Sequence, residues 1–320
     1  MMALRTLAAV IAVLLPAAAS AANQCAMSAP DRAWIETSTR AWDRMATQRL
    51  KLQPTAAPTI VLFDARCRFE SAAPGKTWNG TAHAGSVQLP DGGHVPVQVT
   101  SFAGVDGTGK PFFVMALPSV WDAARLPISG DHVGLTGVFL HEFSHTRQTP
   151  ALKLLFDAAE RLRPMPEDFS DDSLQKNFER DRTYAAAFAL ERDLLFQAAA
   201  EPDASKAKAL AGQALALMEA RQKRWFTGKD VYWKAYDDLF LTMEGLGQWV
   251  AYAWLADPKG GGLDAAAAVD KMRGSRRWWS QEEGLALFLV IDRFVPNWPE
   301  QAFGSKPALG IDLLRRAVGG

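Results

Sequence analysis

The stretch Gly134-Leu135-Thr136-Gly137-Val138-Phe139-Leu140-His141-Glu142-Phe143-Ser144-His145 decides how the rest of the chain is read. Its small and apolar lead-in has the character of a buried helix, and its last five residues have the form His-Glu-x-x-His. Positions four apart lie on one helical face, so two imidazoles can reach one metal ion. Glu142 leans to the same side and can hold a water there. The chain has only five histidines in 320 residues. Two at this spacing with Glu in second place is a chance event at roughly a few in a thousand, given typical residue frequencies. His141 and His145 are expected as metal ligands and Glu142 as general base; the alternative is a His pair packed in a core or lying on a solvated face.

A catalytic zinc takes three protein ligands and keeps a fourth position for water. After His145 the chain reads Thr146-Arg147-Gln148-Thr149-Pro150, without the third His of the metzincin arrangement. A carboxylate is the remaining candidate. Glu191 lies among Ala187, Phe188, Leu194 and Leu195, and Glu244 among Phe240, Leu241, Gly247 and Gln248. Both stand on largely apolar helix faces, where an unpaired charge is costly.

Thr242-Met243-Glu244-Gly245-Leu246-Gly247, with Tyr252 beyond, resembles the Glu-Gly segment of gluzincin-type zinc metallopeptidases. The resemblance covers His141–Gln148 and Glu244–Tyr252. It implies a zincin-like fold, one zinc per chain with Glu244 as third ligand, a glycine that lets the ligand helix come close, and a peptide or protein substrate. Two departures stand beside it. The separation from His145 to Glu244 is far longer than in the aminopeptidases of that clan, and no Gly-x-Met-Glu-Asn motif is present. Glu191 stays open as an alternative ligand or as a residue that orients one.

Weaker candidates surround this set. Gln148 projects near the metal face or caps the helix before Pro150, and Asp237 orients a ligand His or is simply solvated. Tyr252, His83, His132 and Tyr184 are candidate donors to a developing oxyanion, each equally readable as structural. Phe112–Leu117 resembles the edge strand along which zincins bind extended peptides; a buried core strand is the other reading.

The chain as a whole is expected to be α+β and mainly α. Residues 22–127 read as a small mixed sheet with a long helix, and 128–320 as the active-site helix followed by a helical region that carries the third ligand. The first helix starts at Ser28-Ala29-Pro30-Asp31 and puts Trp34, Ser38, Trp42 and Met45 on one face. Strands are expected at Thr59–Phe63, Ser86–Leu89, Val97–Phe102 and Pro111–Leu117. Helices are expected at about 131–148, 152–162, 173–200, 205–224, 229–257, 263–273, 280–295 and 308–318, one of them opened by a Ser280-x-x-Glu283 capping box.

Charge and targeting signals bound the setting. Lys+Arg and Asp+Glu each total 35, so the basic excess that marks nucleic-acid binders is missing. Arg5, the apolar run Leu7–Leu15, Pro16 and Ala17-Ala18-Ala19-Ser20-Ala21 read as a signal peptide over 1–21. The residues before Cys25 do not form a lipoprotein signal, and no later apolar run is long enough for a transmembrane anchor. The mature protein is expected to be exported, periplasmic or secreted, which favours pairing of Cys25 with Cys67. The oligomeric state is not legible. Together these observations lead to an exported zinc-dependent hydrolase, with a non-catalytic envelope binding or assembly protein on a metal-binding zincin scaffold as the alternative. Glu142 is not needed to hold zinc and favours the enzyme.

Overall fold

The computed structural model describes residues 25–71, 77–163, 169–274, 277–304 and 306–319; the segment 1–21, expected to be a signal peptide, lies outside them. Cys25 and Cys67 form a disulfide that ties the segment before the first helix to the sheet. Ser28 Oγ accepts from the Asp31 amide and opens α1 (Ala29–Arg44), with Pro30 in the first turn, where its missing N–H costs nothing. One π-helical turn, Met45–Arg49, prolongs it.

The strands follow as β1 (Thr59–Phe63), β2 (Cys67–Ser71), β3 (Asn79–Ala82), β4 (Ser86–Gln88), β5 (His94–Pro96), β6 (Ser101–Val105) and β7 (Pro111–Ala116). Among the described residues the main sheet has the order β3-β2-β1-β7-β6, and β4 and β5 form a separate hairpin. β1 and β7 are parallel, with Ile60 opposite Phe113, and the other pairs are antiparallel. Three expectations change here. The Phe112–Leu117 run is not an edge: β7 lies between β1 and β6, and Phe112 through Leu117 are buried. A continuous apolar run without alternation belongs to a strand covered on both faces. The Val97–Phe102 strand shifts to Ser101–Val105, and β2, whose Cys67, Phe69 and Ser71 alternate inward, adds a strand that its charged residues had masked.

The remaining elements are α2 (Pro118–Ala123), α3 (His132–Leu162), α4 (Ser173–Phe178), α5 (Arg182–Ala200), α6 (Ala204–Trp225), a 3-10 turn at Gly228–Asp230, α7 (Trp233–Leu255), α8 (Ala265–Arg273), α9 (Trp279–Phe294), α10 (Trp298–Ala302) and α11 (Gly310–Gly319). The expected helices at 131–148 and 152–162 are one helix, α3, whose backbone continues through Pro150 at the loss of one amide donor. The expected 173–200 helix is two, because the Asp181 carboxylate accepts from the Thr183 and Tyr184 amides and starts α5 afresh. Ser280 and Glu283 form no capping box. α9 begins after Trp278 without a side-chain cap, and Glu283 is buried.

The sheet orients α3. Phe139 and Phe143 stack on each other and meet Phe113 of β7 edge-on at 5.1 and 5.4 Å, while Trp34 and Trp42 of α1 close on them at 6.0 and 5.1 Å. His141 and His145 are offset from this Phe pair by two residues, about 200° around a helix of 3.6 residues per turn. Burying the phenylalanines between α1 and the sheet therefore turns both histidines the other way, toward α7. No helix among the described residues is long and apolar enough to cross a membrane.

Candidate metal centre

α7 carries Glu244 to the histidines. His141, His145 and Glu244 are all buried, and their ligand atoms lie within 4.8 Å of one another. Glu244 Oε2 is 3.1 Å from His141 Nε2, and Oε1 is 3.7 Å from His145 Nε2. Two ligands at about 2.0–2.2 Å from a tetrahedral ion stand roughly 3.4 Å apart, and the two observed separations bracket that figure. The cluster can hold a metal ion.

Neighbours fix the rings. His145 Nδ1 donates to Gln148 Oε1 at 2.5 Å, because an amide oxygen only accepts. The hydrogen on Nδ1 leaves the Nε2 lone pair facing the cluster, as a metal-bound imidazole requires. Gln148 Nε2 in turn donates to the Met243 carbonyl at 3.3 Å, linking α3 to the residue before Glu244.

Two glycines divide the work of close approach. A Cβ on Gly247 would lie 2.8 Å from His141 Nδ1, so the imidazole rests against the bare backbone of α7. A Cβ on Gly245 would meet the Gly284 carbonyl oxygen at 2.5 Å, so that glycine admits α9.

Glu142 stands beside the cluster. Its Oε2 is 3.9 Å from His145 Nε2, and its side chain keeps 23% exposure. It borders a cavity of about 380 Å³ together with His141, Gln248 and Gln281, walled by Val138, Ala251, Leu255 and Met272. Burial pushes Glu142 up to about 8, assisted by the charges of Glu244 and Asp171 and opposed by His141. Burial drives His145 down to about 4, so it is neutral. For His141, burial opposes protonation, but the hydrogen bond and charge of Glu244 outweigh it and the net direction is up. Burial disfavours the Glu244 anion, yet its histidine partners hold it below the usual carboxylate range.

The other sequence candidates lie elsewhere. Glu191 and Asp237 do not join the histidines: Arg221 Nε donates to Glu191 at 2.5 Å, and its Nη2 stands 3.0 Å from Asp237. Burial needed a partner for Glu191, and a cation from α6 supplies it. Tyr184 is buried with its hydroxyl accepting from Arg221. The His83 ring bonds the Asp64 carbonyl, and His132 bonds Asp122. Tyr252 is half-buried against the main core. None of Tyr184, His83, His132 and Tyr252 is among the residues that line the cavity.

Sequence reasoning passed over three residues. Arg221 was legible as the one charge in the buried series Ala207, Ala211, Ala214 and Met218 of α6. Asp171, raised to about 7 by burial and then by Glu244, and Gln281, whose Nε2 is 3.4 Å from Glu244, reach the site from loop and α9 positions that no local pattern marks. No family, curated protein or solved structure matches the chain.

Proposed function

We propose that this protein is an exported zinc-dependent hydrolase of gluzincin type, with a zincin-like arrangement, that cleaves peptide bonds. The observation that carries the reading is Glu142. A carboxylate that is not needed to hold the ion stands 3.9 Å from a ligand imidazole and lines a cavity. His141 Nε2, His145 Nε2 and a Glu244 oxygen would hold the metal. Zinc bound by two His and one Glu supplies a water acidified to about pKa 7 and polarisation of the substrate carbonyl.

The chain's own residues do the rest. A cation held beside it would favour the ionised form of Glu142 against the burial that raises it, and that carboxylate would accept the proton of the attacking water and pass it to the amine nitrogen that leaves as the C–N bond breaks. Gln148 fixes the His145 tautomer throughout, and Gly247 lets His141 keep its place. The apolar walls Val138, Ala251, Leu255 and Met272 suit an apolar substrate side chain, and the paired Asp131 and Lys271 also line the cavity. An exported setting agrees with the Cys25–Cys67 disulfide.

The test pairs metal analysis with turnover of a quenched-fluorescent decapeptide library. About one zinc per chain and cleavage by wild type are expected. Glu142→Gln should lower kcat by roughly two to four orders of magnitude with zinc retained. Zinc binding without turnover by wild type would support the non-catalytic envelope protein instead.

A further inference from the structure

We propose that Lys271 is a specificity-determining residue whose ammonium takes a carboxylate of the bound peptide about four residues from the scissile bond. The inference rests on the hydrolase reading above and adds to it the chemistry of the preferred substrate.

Helix α3 supplies the ruler. Asp131, Gly134, Val138 and His141 all line the cavity, and their spacing sets them on one face of the helix. Asp131 caps that helix, with Oδ1 accepting from the Gly134 amide at 2.9 Å, and its Oδ2 accepts from Lys271 Nζ of α8. At a rise of about 1.5 Å per residue, the levels of Asp131 and His141 are roughly 15 Å apart along α3. An extended peptide advances about 3.3–3.6 Å per residue, so that length is about four residues.

The pair stands where a ligand can reach it. The side chains of Lys271 and Asp131 keep 38% and 33% exposure, and an ion pair so open adds little to stability. An ammonium has three N–H donors. Asp131 takes one, and no other acceptor bonds Lys271 among the described residues. Lys271 is also the one lysine or arginine among the residues that line this cavity. A carboxylate adds its own charge to a hydrogen bond with the free donors, which a peptide carbonyl cannot. Glu142 and Glu244 stand near the level of His141, beyond the screening length of about 8 Å at physiological salt, and oppose such a carboxylate little. Asp131 is the near anion and limits the gain.

The experiment takes a decapeptide cleaved by the zinc-loaded wild type, capped at both ends and free of charged residues, and places one Asp or one Lys at each position in turn. A second arm shortens the peptide beyond the scissile bond residue by residue, with its C-terminus free or amidated. In wild type a carboxylate about four residues away is expected to raise kcat/KM about fivefold, the worth of an open ion pair. A gain from an internal Asp assigns the ligand to a side chain, and a gain from the free C-terminus alone assigns it to the terminal carboxylate. Lys271→Met should erase the gain. Asp131→Asn keeps an oxygen to cap α3 but removes the near anion, so it should enlarge the gain by about a further twofold. A pair that only ties α8 to α3 would move neither preference, and both variants would lose stability alike. Calorimetric Kd values of the same peptides for Glu142→Gln should follow the same pattern without turnover. Wild type that cleaves the parent peptide but gains from no carboxylate, a gain that survives Lys271→Met, or a gain from Lys instead of Asp overturns the assignment and leaves the hydrolase reading standing. A zinc-loaded wild type that neither binds nor cleaves any peptide overturns the hydrolase reading, and this assignment with it.

Discussion

Two buried polar clusters share helix α7, and they solve the same electrostatic problem in different ways. Around Asp237, the carboxylates Glu191, Asp237 and Glu283 surround Arg221, which is itself buried and bonded to Tyr184 as well. Around Glu244, two turns along, the acidic groups Glu142, Glu244 and Asp171 face two imidazoles, one of them driven neutral by burial. The first cluster carries its own cation. The second is acidic and offers nitrogen lone pairs, which is the donor chemistry of a site completed by a cation from solution. Of two glutamates on similar apolar faces, the one reached by an arginine is structural, and the one reached by two histidines is the candidate ligand.

The sharpest way to break this comparison is to remove one glutamate from each cluster. Glu244→Ala should abolish stoichiometric zinc, since two His alone remain, whereas Glu191→Ala should keep one zinc per chain and lose stability instead. Metal analysis after dialysis, beside denaturant unfolding, reads both; zinc lost with Glu191 and kept without Glu244 would exchange their roles.

Next in size is the cation. Arg221→Met leaves Glu191 and Asp237 buried without compensation and should cost about 3–5 kcal/mol in unfolding free energy. If zinc content is preserved in the fraction that folds, the two clusters are energetically separate; if it falls in parallel, α7 transmits the damage.

A smaller effect is expected at Gln148, which orients His145 rather than binding the ion. Gln148→Leu should weaken zinc binding by about 10–100-fold, as loss of such a partner typically does. Competition with a chelator of known affinity measures it, and unchanged affinity would show that packing alone fixes the imidazole.

The smallest effect concerns protons. Burial, then the neighbouring Glu191 charge, raises Glu283, and burial raises Glu191 to about 7. Carboxyls raised in the folded state bind more protons there than in the unfolded chain, so their contribution to stability declines as pH rises from the unfolded value near 4.5 through the folded one. Glu283→Gln removes one of these titrations while keeping the shape. Its Tm relative to wild type should therefore climb between pH 5 and pH 8, and a constant difference would show that Glu283 does not hold a proton in the folded protein.

How much was legible follows from the range of each interaction. The helical His-Glu-x-x-His pattern is local: residues four apart share a face wherever a helix forms, so His141, Glu142 and His145 could be grouped from spacing alone. Glu244 came from a short segment that resembles a known ligand helix, and the N-cap at Ser28 and the paired cysteines came from local chemistry and compartment. The errors lie where distant contacts override local signals. Ser280 and Glu283 have the form of a capping box, yet the acid is drawn inward beside Glu191 and Arg221. Phe112–Leu117 could be an edge or a core strand until β6 closed its free side.

The sequence by itself therefore determined the donor types, their spacing on α3 and the apolar faces that need burial. Only the tertiary structure decided which glutamate each buried nitrogen would meet. Burial makes every charge demand a partner, but which partner arrives depends on how α5, α6, α7 and α9 pack, and that is a property of the whole chain.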